Sequence, residues 1–178
     1  MWSDVQRQAV EEALKRGQTL VAVGLDDQPL GVVAIDDRLR PDASVALQRL
    51  RDQGLTLGML SGDRRQAVEK IARMLGFADD ELAWQLLPDQ KLERLERWRS
   101  EETVGMVGDG INDAPALAAA DLGIAVGTGT QIAQDTADLV LLGDRLEALP
   151  EALTLARRTM AKIRQNLFWA FGYNMIAL

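Results

Sequence analysis

From Pro41 to Leu142 the sequence alternates short apolar runs with amphipathic segments, and this alternation constrains the fold more than any other feature. The apolar runs predicted as strands are Leu55–Leu60, Thr103–Val107, Leu122–Val126 and Asp138–Leu142. The segments predicted as helices are Pro41–Gln53, Asp63–Leu75, Asp89–Trp98, Ala114–Ala120 and Gln131–Ala137. Strands that alternate with helices predict an α/β fold with a doubly wound parallel sheet, whose ligands lie at the carboxyl ends of the strands.

The residues before Pro41 follow a different pattern. Ser3–Arg16 has apolar residues at helical spacing and is followed by a glycine, which predicts a short helix. Two β runs follow, Thr19–Gly24 and Leu30–Ile35, separated by the polar turn 26–29. This arrangement predicts a β-hairpin. In the next helix, Pro41–Gln53, we expect Val45, Leu47 and Leu50 to face the core.

The C-terminal residues divide into a basic part and an uncharged part. Leu146–Gln165 is predicted as a long helix that carries four basic residues: Arg157, Arg158, Lys162 and Arg164. Asn166–Leu178 has no charged residue. These residues are too few to span a bilayer, because a transmembrane helix needs about 20 apolar residues. We expect them to be the start of a transmembrane helix that is cut off.

Composition excludes several classes of function. The net charge of -7 disfavours a nucleic-acid partner, because phosphate backbones require a basic surface. The chain contains no cysteine and no histidine. Disulfide frameworks, thiolate metal sites, zinc hydrolase sites and a histidine general base are therefore excluded.

The strongest motif is the segment 104–117, in which an apolar strand runs into a glycine-flanked loop and then a helix. Asp109 and Asp113 stand four residues apart in this loop, and Pro115 is in the first turn of the helix. Two carboxylates beside open water suit Mg²⁺, which takes one or two protein carboxylates together with phosphate oxygens. A plain Gly/Asp turn is the alternative, although the full segment is far more specific than its Gly-Asp-Gly alone.

Two further motifs follow predicted strands or begin predicted helices. Ser61-Gly62-Asp63 comes after the strand Leu55–Leu60, where a hydroxyl and backbone N–H groups form an anion pocket. Capping of the next helix by Ser61 or Asp63 is the simpler alternative. Lys91 stands at a helix start, against the helix dipole, and a buried phosphate partner would explain it. The alternative is a solvated surface lysine.

Together the three motifs resemble the haloacid-dehalogenase-type phosphoryl-transfer set in the version found in P-type ATPases, over roughly Gly31 to Leu178. The loop Gly108–Leu117 resembles the P-type hinge signature. Ser61-Gly62-Asp63 resembles the family's Thr-Gly-Asp, with serine in place of threonine. Lys91 falls on the family's phosphate-contacting lysine. Asp37 falls on the aspartate where the nucleotide domain rejoins the phosphorylation domain.

The C-terminus narrows the resemblance to heavy-metal pumps. The segment 156–174 resembles the start of the seventh membrane helix of Cu⁺-type pumps. The resemblance implies that Tyr173 and Asn174 contribute to the transported-metal site; an interfacial tyrosine is the alternative. Leu-Ser-Gly-Asp together with Asn-Leu-x-Trp-Ala resembles the branch that supplies copper for cytochrome oxidase assembly.

The resemblance implies a role for each motif residue. Asp109 and Asp113 would bind Mg²⁺. Five residues would contact the phosphoryl group: Ser61, Gly62, Asp63, Lys91 and Asn112. The implied catalytic residues are Asp113, Lys91 and Asp63. The implied cofactors are Mg²⁺ and ATP, and the implied partners are a heavy-metal cation such as Cu⁺, the rest of the ATPase chain and the lipid bilayer, with no nucleic acid.

The resemblance also implies a division of the chain. Residues 1–30 would be the tail of a nucleotide-binding domain, 31–145 a phosphorylation domain, 146–165 a basic linker helix and 166–178 the start of a transmembrane helix. The pump would lie in a membrane, for which we expect the bacterial inner membrane, with residues 1–165 in the cytoplasm.

The sequence departs from the family pattern in three motifs. It contains no Asp-Lys-Thr-Gly-Thr phosphorylation motif, no Cys-Pro-Cys membrane motif and no His-Pro nucleotide-site motif. We therefore expect a fragment of a pump that is inactive alone because the nucleophilic aspartate is missing. The alternatives are a soluble haloacid-dehalogenase-type phosphatase and a non-catalytic fragment that docks on a membrane or a partner.

Overall fold

The computed structural model describes residues 4–16, 18–26, 28–35, 39–109, 113–127, 135–143 and 145–176. The helices are α1 (Asp4–Lys15), α2 (Ala43–Asp52), α3 (Arg65–Leu75), α4 (Pro88–Arg99), α5 (Ala114–Ala119) and α6 (Ala148–Ile176). The strands are β1 (Thr19–Leu25), β2 (Gln28–Ile35), β3 (Met59–Leu60), β4 (Leu82–Ala83), β5 (Gly105–Gly108), β6 (Leu122–Val126) and β7 (Leu139–Leu141). A 3₁₀ turn at Asp79–Glu81 precedes β4.

The N-terminal part is a β-hairpin with a helix beside it, as the sequence predicts. β1 and β2 pair antiparallel, with Thr19 opposite Ile35 and Leu25 opposite Gln28. Asp26 lies in the turn with φ +50°, a conformation that Asp tolerates better than most residues because its short side chain can bond locally. On the open face of the hairpin the side chains of Val21 and Val33 are about half exposed.

The remaining strands are parallel, which confirms the α/β class. β3 pairs with β4, and β5, β6 and β7 form a three-stranded sheet in that order. Parallel neighbours need a crossover connection. Helix α3 supplies it between β3 and β4, and α5 supplies it between β5 and β6. The carboxyl ends of β3 and β5 therefore carry the two loops that the sequence marks as functional.

Two apolar clusters hold these layers together. One contains Leu50 of α2, Ile124 of β6, Leu141 of β7 and Leu149 of α6. The other joins α4, β5 and α5 through Leu95, Met106, Ala116 and Leu117. Leu95 and Leu117 are each only 1% exposed. Burial of a leucine side chain contributes about 1.5–3 kcal/mol, so these clusters are main sources of stability.

Asp121 fixes the junction between α4, β5 and β6. One of its carboxylate oxygens accepts two hydrogen bonds from the Arg99 guanidinium, at 3.1 and 2.9 Å. The other accepts the Val104 N–H at 2.9 Å. The bond from Arg99 holds the pKa of Asp121 below its usual value. This carboxylate therefore supports the fold in its charged form.

The structure corrects several expectations about individual segments. Val45 is 46% exposed and does not face the core; Ala43 and Ala46 are buried beside Leu50 instead. These three residues are spaced three and four apart, which is one face of a helix, whereas Val45 lies on another. Of the expected strand Leu55–Leu60, only Met59–Leu60 is paired, with the two residues of β4. Strand β4 was not predicted from the sequence.

Some boundaries shift and one element is only partly described. Helix α3 begins at Arg65 and not at Asp63. Of the helix expected at Gln131–Ala137, residues 131–134 lie outside the described part of the chain, and residues 135–136 are helical. The position of Asp37 also lies outside it.

The C-terminal segment is one continuous helix, α6, with 29 residues. Its first turns pack into the domain: Leu149 is 3% exposed and Pro150 is fully buried. Every residue from 155 to 171 is exposed. Within the described residues, no helix, α6 included, has the length and apolar content needed to cross a membrane.

Gly123 offers a test of the packing of α5 on β6. A Cβ on Gly123 would lie 2.5 Å from the carbonyl oxygen of Leu117, a backbone atom that cannot move without shifting α5. We expect Gly123→Ala to lower the free energy of unfolding by about 1–3 kcal/mol, the usual effect of overpacking. Chemical denaturation measures it.

The matched control is Gly105→Ala on the neighbouring strand β5. A Cβ there would lie 3.7 Å from the Leu122 carbonyl oxygen, an ordinary contact. We expect a change within about 1 kcal/mol of zero, because alanine also restricts the unfolded chain. Equal losses in both variants would contradict the close approach of α5 to β6.

Candidate functional site

The carboxyl end of β5 carries two aspartates. Asp109 follows the strand directly and is exposed. Asp113 precedes helix α5, and its side chain folds back toward the strand. A Cβ on Gly108 would lie only 3.1 Å from the Asp113 carboxylate, so the missing side chain of Gly108 leaves the space that this carboxylate uses. Gly110, Ile111 and Asn112 lie outside the described residues.

Asp113 is paired with Lys91. The Lys91 Nζ donates to Asp113 Oδ1 at 2.7 Å, and the two side chains are 14% and 17% exposed. A pair this short and this shielded from water is stronger than a surface salt bridge. The alternative of a solvated surface lysine is therefore wrong.

The start of helix α4 directs Lys91 to this position. Pro88 occupies the first helical position, where its missing N–H costs nothing. The Leu87 N–H donates to Gln90 Oε1 at 2.9 Å. These two features fix where α4 begins, and Lys91 then lies one turn into the helix.

The loop at the end of β3 is closed by its own serine. Ser61 Oγ donates to Asp63 Oδ2 at 2.9 Å and accepts the Asp63 N–H at 3.1 Å. Helix α3 begins later, at Arg65, and its cap residue Arg64 makes no side-chain capping bond. Neither Ser61 nor Asp63 therefore caps the helix, so the simple capping alternative does not account for this loop.

Backbone hydrogen bonds hold this loop against the segment that leads into α4. The Leu86 N–H donates to the Ser61 carbonyl oxygen at 3.0 Å, and the Gln85 N–H donates to the Asp63 carbonyl oxygen at 2.9 Å. Gln85 has φ +54°, a conformation that costs energy for a residue other than glycine. Gln85 and Leu86 could not be identified from the sequence, because their contribution is made by backbone N–H groups.

Backbone hydrogen bonds and helix α4 connect three of the sequence motifs within the α/β domain. The Ser61 loop is bonded to the segment 85–86, and the helix that begins at Pro88 places Lys91 against Asp113. The donor set of Asp109 and Asp113 fits Mg²⁺, which prefers carboxylate oxygens. Among the described residues no group of three or more acidic side chains could hold a metal ion.

Tyr173 and Asn174 belong to a different element, the C-terminal helix α6. They lie in the last turns of α6, where the Asn174 side-chain amide donates to the Ala170 carbonyl oxygen at 2.9 Å. Tyr173 is 74% exposed. Their assignment to a transported-metal site remains a prediction.

The Lys91–Asp113 pair predicts the direction in which a lysine substitution changes the affinity for Mg²⁺ and for phosphate. While it is formed, Lys91 occupies an oxygen of Asp113 that Mg²⁺ would use. We expect Lys91→Met to tighten Mg²⁺ binding in the absence of phosphate. With inorganic phosphate present we expect the same variant to weaken phosphate binding roughly tenfold to a hundredfold, matching the about 1.5–3 kcal/mol of a hydrogen bond to a charged group.

Calorimetric titration measures both effects. The control is Lys162→Met, which removes the same charge from the exposed part of α6. If Lys91→Met and Lys162→Met bind both ligands equally, Lys91 has no part in the site.

Comparisons with known proteins identify the family to which this chain belongs. The profile of the haloacid dehalogenase-like hydrolase family matches residues 2–121. A copper-exporting P-type ATPase of Bacillus subtilis is 42% identical over 170 residues, which cover 95% of this chain and 21% of that protein. Cation-transporting P-type ATPase B of Mycobacterium tuberculosis is 45% identical over 164 residues, covering 92% of this chain and 22% of that protein.

A solved structure shows the same fold. The crystal structure of a zinc-transporting PIB-type ATPase in its E2.Pi state superposes with a TM-score of 0.76 at 41% identity, over 93% of this chain and 27% of the other. The chain spans about a quarter of the length of the curated relatives that it matches. The chain belongs to the haloacid dehalogenase-like hydrolase family, in the branch of the heavy-metal P-type ATPases.

Proposed function

We propose that this chain supplies the Mg²⁺- and phosphate-binding part of an aspartyl-phosphate site in an ATP-driven heavy-metal pump. The observation that carries the proposal is the Lys91–Asp113 pair, partly buried beside the end of β5, which also carries Asp109. A cation and carboxylates that converge at one edge are what phosphoryl transfer requires, because its catalysis is mostly positioning and charge neutralisation.

Each residue has a defined role in the proposal. Lys91 neutralises phosphoryl oxygens once a phosphate displaces its present partner Asp113. Asp109 and Asp113 hold Mg²⁺, which supplies positive charge to the phosphoryl group when bound. Ser61, with the backbone of Gly62 and the side chain of Asp63, shapes the pocket for the remaining oxygens. Asn112 is assigned to phosphate binding from its place in the motif, outside the described residues.

The domain division is part of the proposal. Residues 1–30 form the end of a nucleotide-binding domain, and 31–145 form the phosphorylation domain. The proposed linker is 146–165 and the proposed start of the transmembrane helix is 166–178; in the structure, residues 148–165 and 166–176 belong to one helix. The two parts differ in charge, with the basic residues in the first. This order fits a helix that leads from a cytoplasmic domain toward the lipid, since basic residues favour the cytoplasmic side.

The cargo is proposed as Cu⁺. Relatives named as copper-exporting and structures titled as zinc-transporting match at similar identity, so the match alone does not select the metal. Support for copper comes from the segment 156–174 and its Tyr173-Asn174 pair. A tyrosine and an amide inside a membrane helix are expensive to bury without a function.

Asp109 provides the first test of this proposal. We expect the chain to bind inorganic phosphate in a Mg²⁺-dependent manner, and Asp109→Asn to weaken that binding roughly tenfold, because one of two metal-binding carboxylates is lost. Calorimetry or phosphorus NMR measures it. No acid-stable phosphoenzyme should form with labelled ATP, because the Asp-Lys-Thr-Gly-Thr motif is absent from the sequence.

The matched control is Asp80→Asn, which makes the same charge change in the exposed 3₁₀ turn. Equal phosphate binding by both variants would remove Asp109 from the site. Stable label on an aspartate of this chain would contradict the expectation that the chain lacks the nucleophilic aspartate. Turnover of a small phosphate ester would favour the phosphatase alternative.

The second test concerns the aromatic end of α6. Phe168, Trp169 and Phe171 are 65–70% exposed, and removing such side chains from water is worth about 1.5–3 kcal/mol each. We expect the chain to float with phosphatidylserine-containing vesicles. In a variant with serine at these three positions, we expect the partition coefficient into the vesicles to fall at least about a hundredfold. Its thermal stability should not change, because the domain does not cover these residues.

The control removes two exposed apolar side chains from the α/β domain, Met74 and Leu142, which are 61% and 79% exposed. This variant should float like the unmodified chain. A truncation at residue 150 is unsuitable for this test, because Leu153 packs against the core cluster of Leu149. Equal flotation of both variants would show that α6 does not direct the chain to lipid.

A further inference from the structure

Gln85 lies where the chain leaves strand β4 and turns toward helix α4. It has φ +54°, and among the described residues Asp26 in the hairpin turn is the other residue besides glycine with a positive φ. Aspartate tolerates this conformation because its short side chain can bond locally, an advantage that glutamine lacks. The Gln85 side chain is exposed, so its packing does not account for the conformation. The backbone and its hydrogen bonds must do so.

The hydrogen bonds around Gln85 depart from those of a regular parallel ladder. The Ser61 N–H donates to the Ala83 carbonyl oxygen at 2.9 Å. In a regular ladder the Ser61 carbonyl oxygen would then accept the Gln85 N–H. It accepts the Leu86 N–H instead, at 3.0 Å. One extra residue is thus inserted opposite Ser61, which makes Gln85 a β-bulge.

The left-handed backbone of Gln85 makes this bulge possible. The Gln85 N–H donates to the Asp63 carbonyl oxygen at 2.9 Å, so two consecutive N–H groups bond to the Ser61 loop, residues 61–63. Consecutive N–H groups of an extended strand point to opposite sides, because successive residues alternate across the pleat. A left-handed residue turns them to the same side. Gln85 and Leu86 thereby hold both ends of the loop.

The neighbours of Gln85 fix its backbone in this conformation. On one side, the Trp84 ring centre lies 4.8 Å from the Arg65 guanidinium of helix α3. On the other side, the Leu86 carbonyl oxygen lies so near the loop that a Cβ on Gly62 would be 3.4 Å from it. Unfavourable backbone conformations persist where the surrounding structure determines them, and such places are often functional.

The segment that follows is fixed as well. Leu87 is extended, with φ -73° and ψ 159°, as a residue before proline prefers. Pro88 then begins α4, and the Lys91 N–H donates to the Leu87 carbonyl oxygen at 3.0 Å. The chain from Gln85 to Lys91 is therefore a short, ordered connection between the Ser61 loop and the Lys91–Asp113 pair.

We propose that Gln85 is a positioning residue of the phosphate site, and that its left-handed backbone sets the spacing between the Ser61 loop and Lys91. This role rests on the proposed function, because it takes the loop and Lys91 as two contacts of one phosphate. An extended residue 85 would return its own N–H to the Ser61 carbonyl oxygen. The chain that follows would shift by one residue, and Lys91 would move relative to the loop. The alternative is a strained turn that affects stability alone.

Substitutions that change the backbone preference of residue 85 test this role. Gln85→Val disfavours a positive φ because valine is β-branched, whereas Gln85→Gly favours it. In the full chain with Mg²⁺, we expect Gln85→Val to weaken the binding of inorganic phosphate at least about tenfold. Gln85→Gly should restore the affinity to within about threefold of the unmodified chain. Calorimetric titration measures both, at a temperature where circular dichroism shows each variant to be folded.

The matched control makes the same substitutions at Asp26, which has φ +50° in the turn of the hairpin. Asp26→Val should lower the thermal stability and leave the affinity for phosphate unchanged. Asp26→Gly should keep that affinity too, and it loses the same charge. The comparison separates an effect of backbone strain on stability from an effect on the site.

Two results would overturn the role of Gln85 and leave the proposed function standing. One is equal phosphate affinity of Gln85→Val and the unmodified chain. The other is an equal loss in Gln85→Val and Gln85→Gly, which would assign the effect to the missing side chain. Absence of phosphate binding by the unmodified chain would instead overturn the proposed function, and this role with it.

A smaller substitution covers the case in which Gln85→Val does not fold. Gln85→Ala is then measured in its place, because alanine also disfavours a positive φ. A phosphate affinity of Gln85→Ala below that of Gln85→Gly supports the positioning role, and equal affinities of these two variants overturn it.

Discussion

Parallel strands can be joined only by crossovers, and this constraint determines where the candidate site lies. Each crossover starts at the carboxyl end of a strand, so the loops after β3 and β5 each lie between the end of a parallel strand and the start of a helix. The Ser61 loop and the two aspartates after β5 lie in these loops. The candidate site residues are separated by up to 52 positions in the sequence, from Ser61 to Asp113. The segment 85–86 and helix α4 connect them, through bonds to the Ser61 loop and the Lys91–Asp113 pair.

The two partly buried charges of the candidate site are paired with each other. Lys91 and Asp113 neutralise each other across the boundary between α4 and α5. A buried lysine or carboxylate without a partner would be strongly destabilising, so each protects the other in the absence of phosphate and metal. The same pair is suited to separate when both ligands arrive, because phosphate offers Lys91 an anion and Mg²⁺ offers Asp113 a cation. One interaction thus serves both stability and the proposed function.

The long helix α6 shows how differently two parts of one element can be stabilised. Its first two turns are held by Leu149, Pro150 and the bonds from α2. The rest has exposed side chains, among them basic residues and then aromatic ones. The exposed part of α6 is not packed against the domain, so its direction depends on the packed first turns.

The sequence by itself determined the α/β class, the hairpin of β1 and β2 and the strand β6 with its bounds, and it predicted the motif residues of the candidate site. These features depend on local periodicity, glycine positions and residue chemistry, which are visible in a linear chain. It did not determine that Val45 is exposed or that β4 exists, because both depend on which neighbours an element meets. It also did not reveal the Lys91–Asp113 pair or the bonds from α2 to α6. Those contacts join residues 22 to 105 positions apart, and only the folded chain decides which distant polar groups meet.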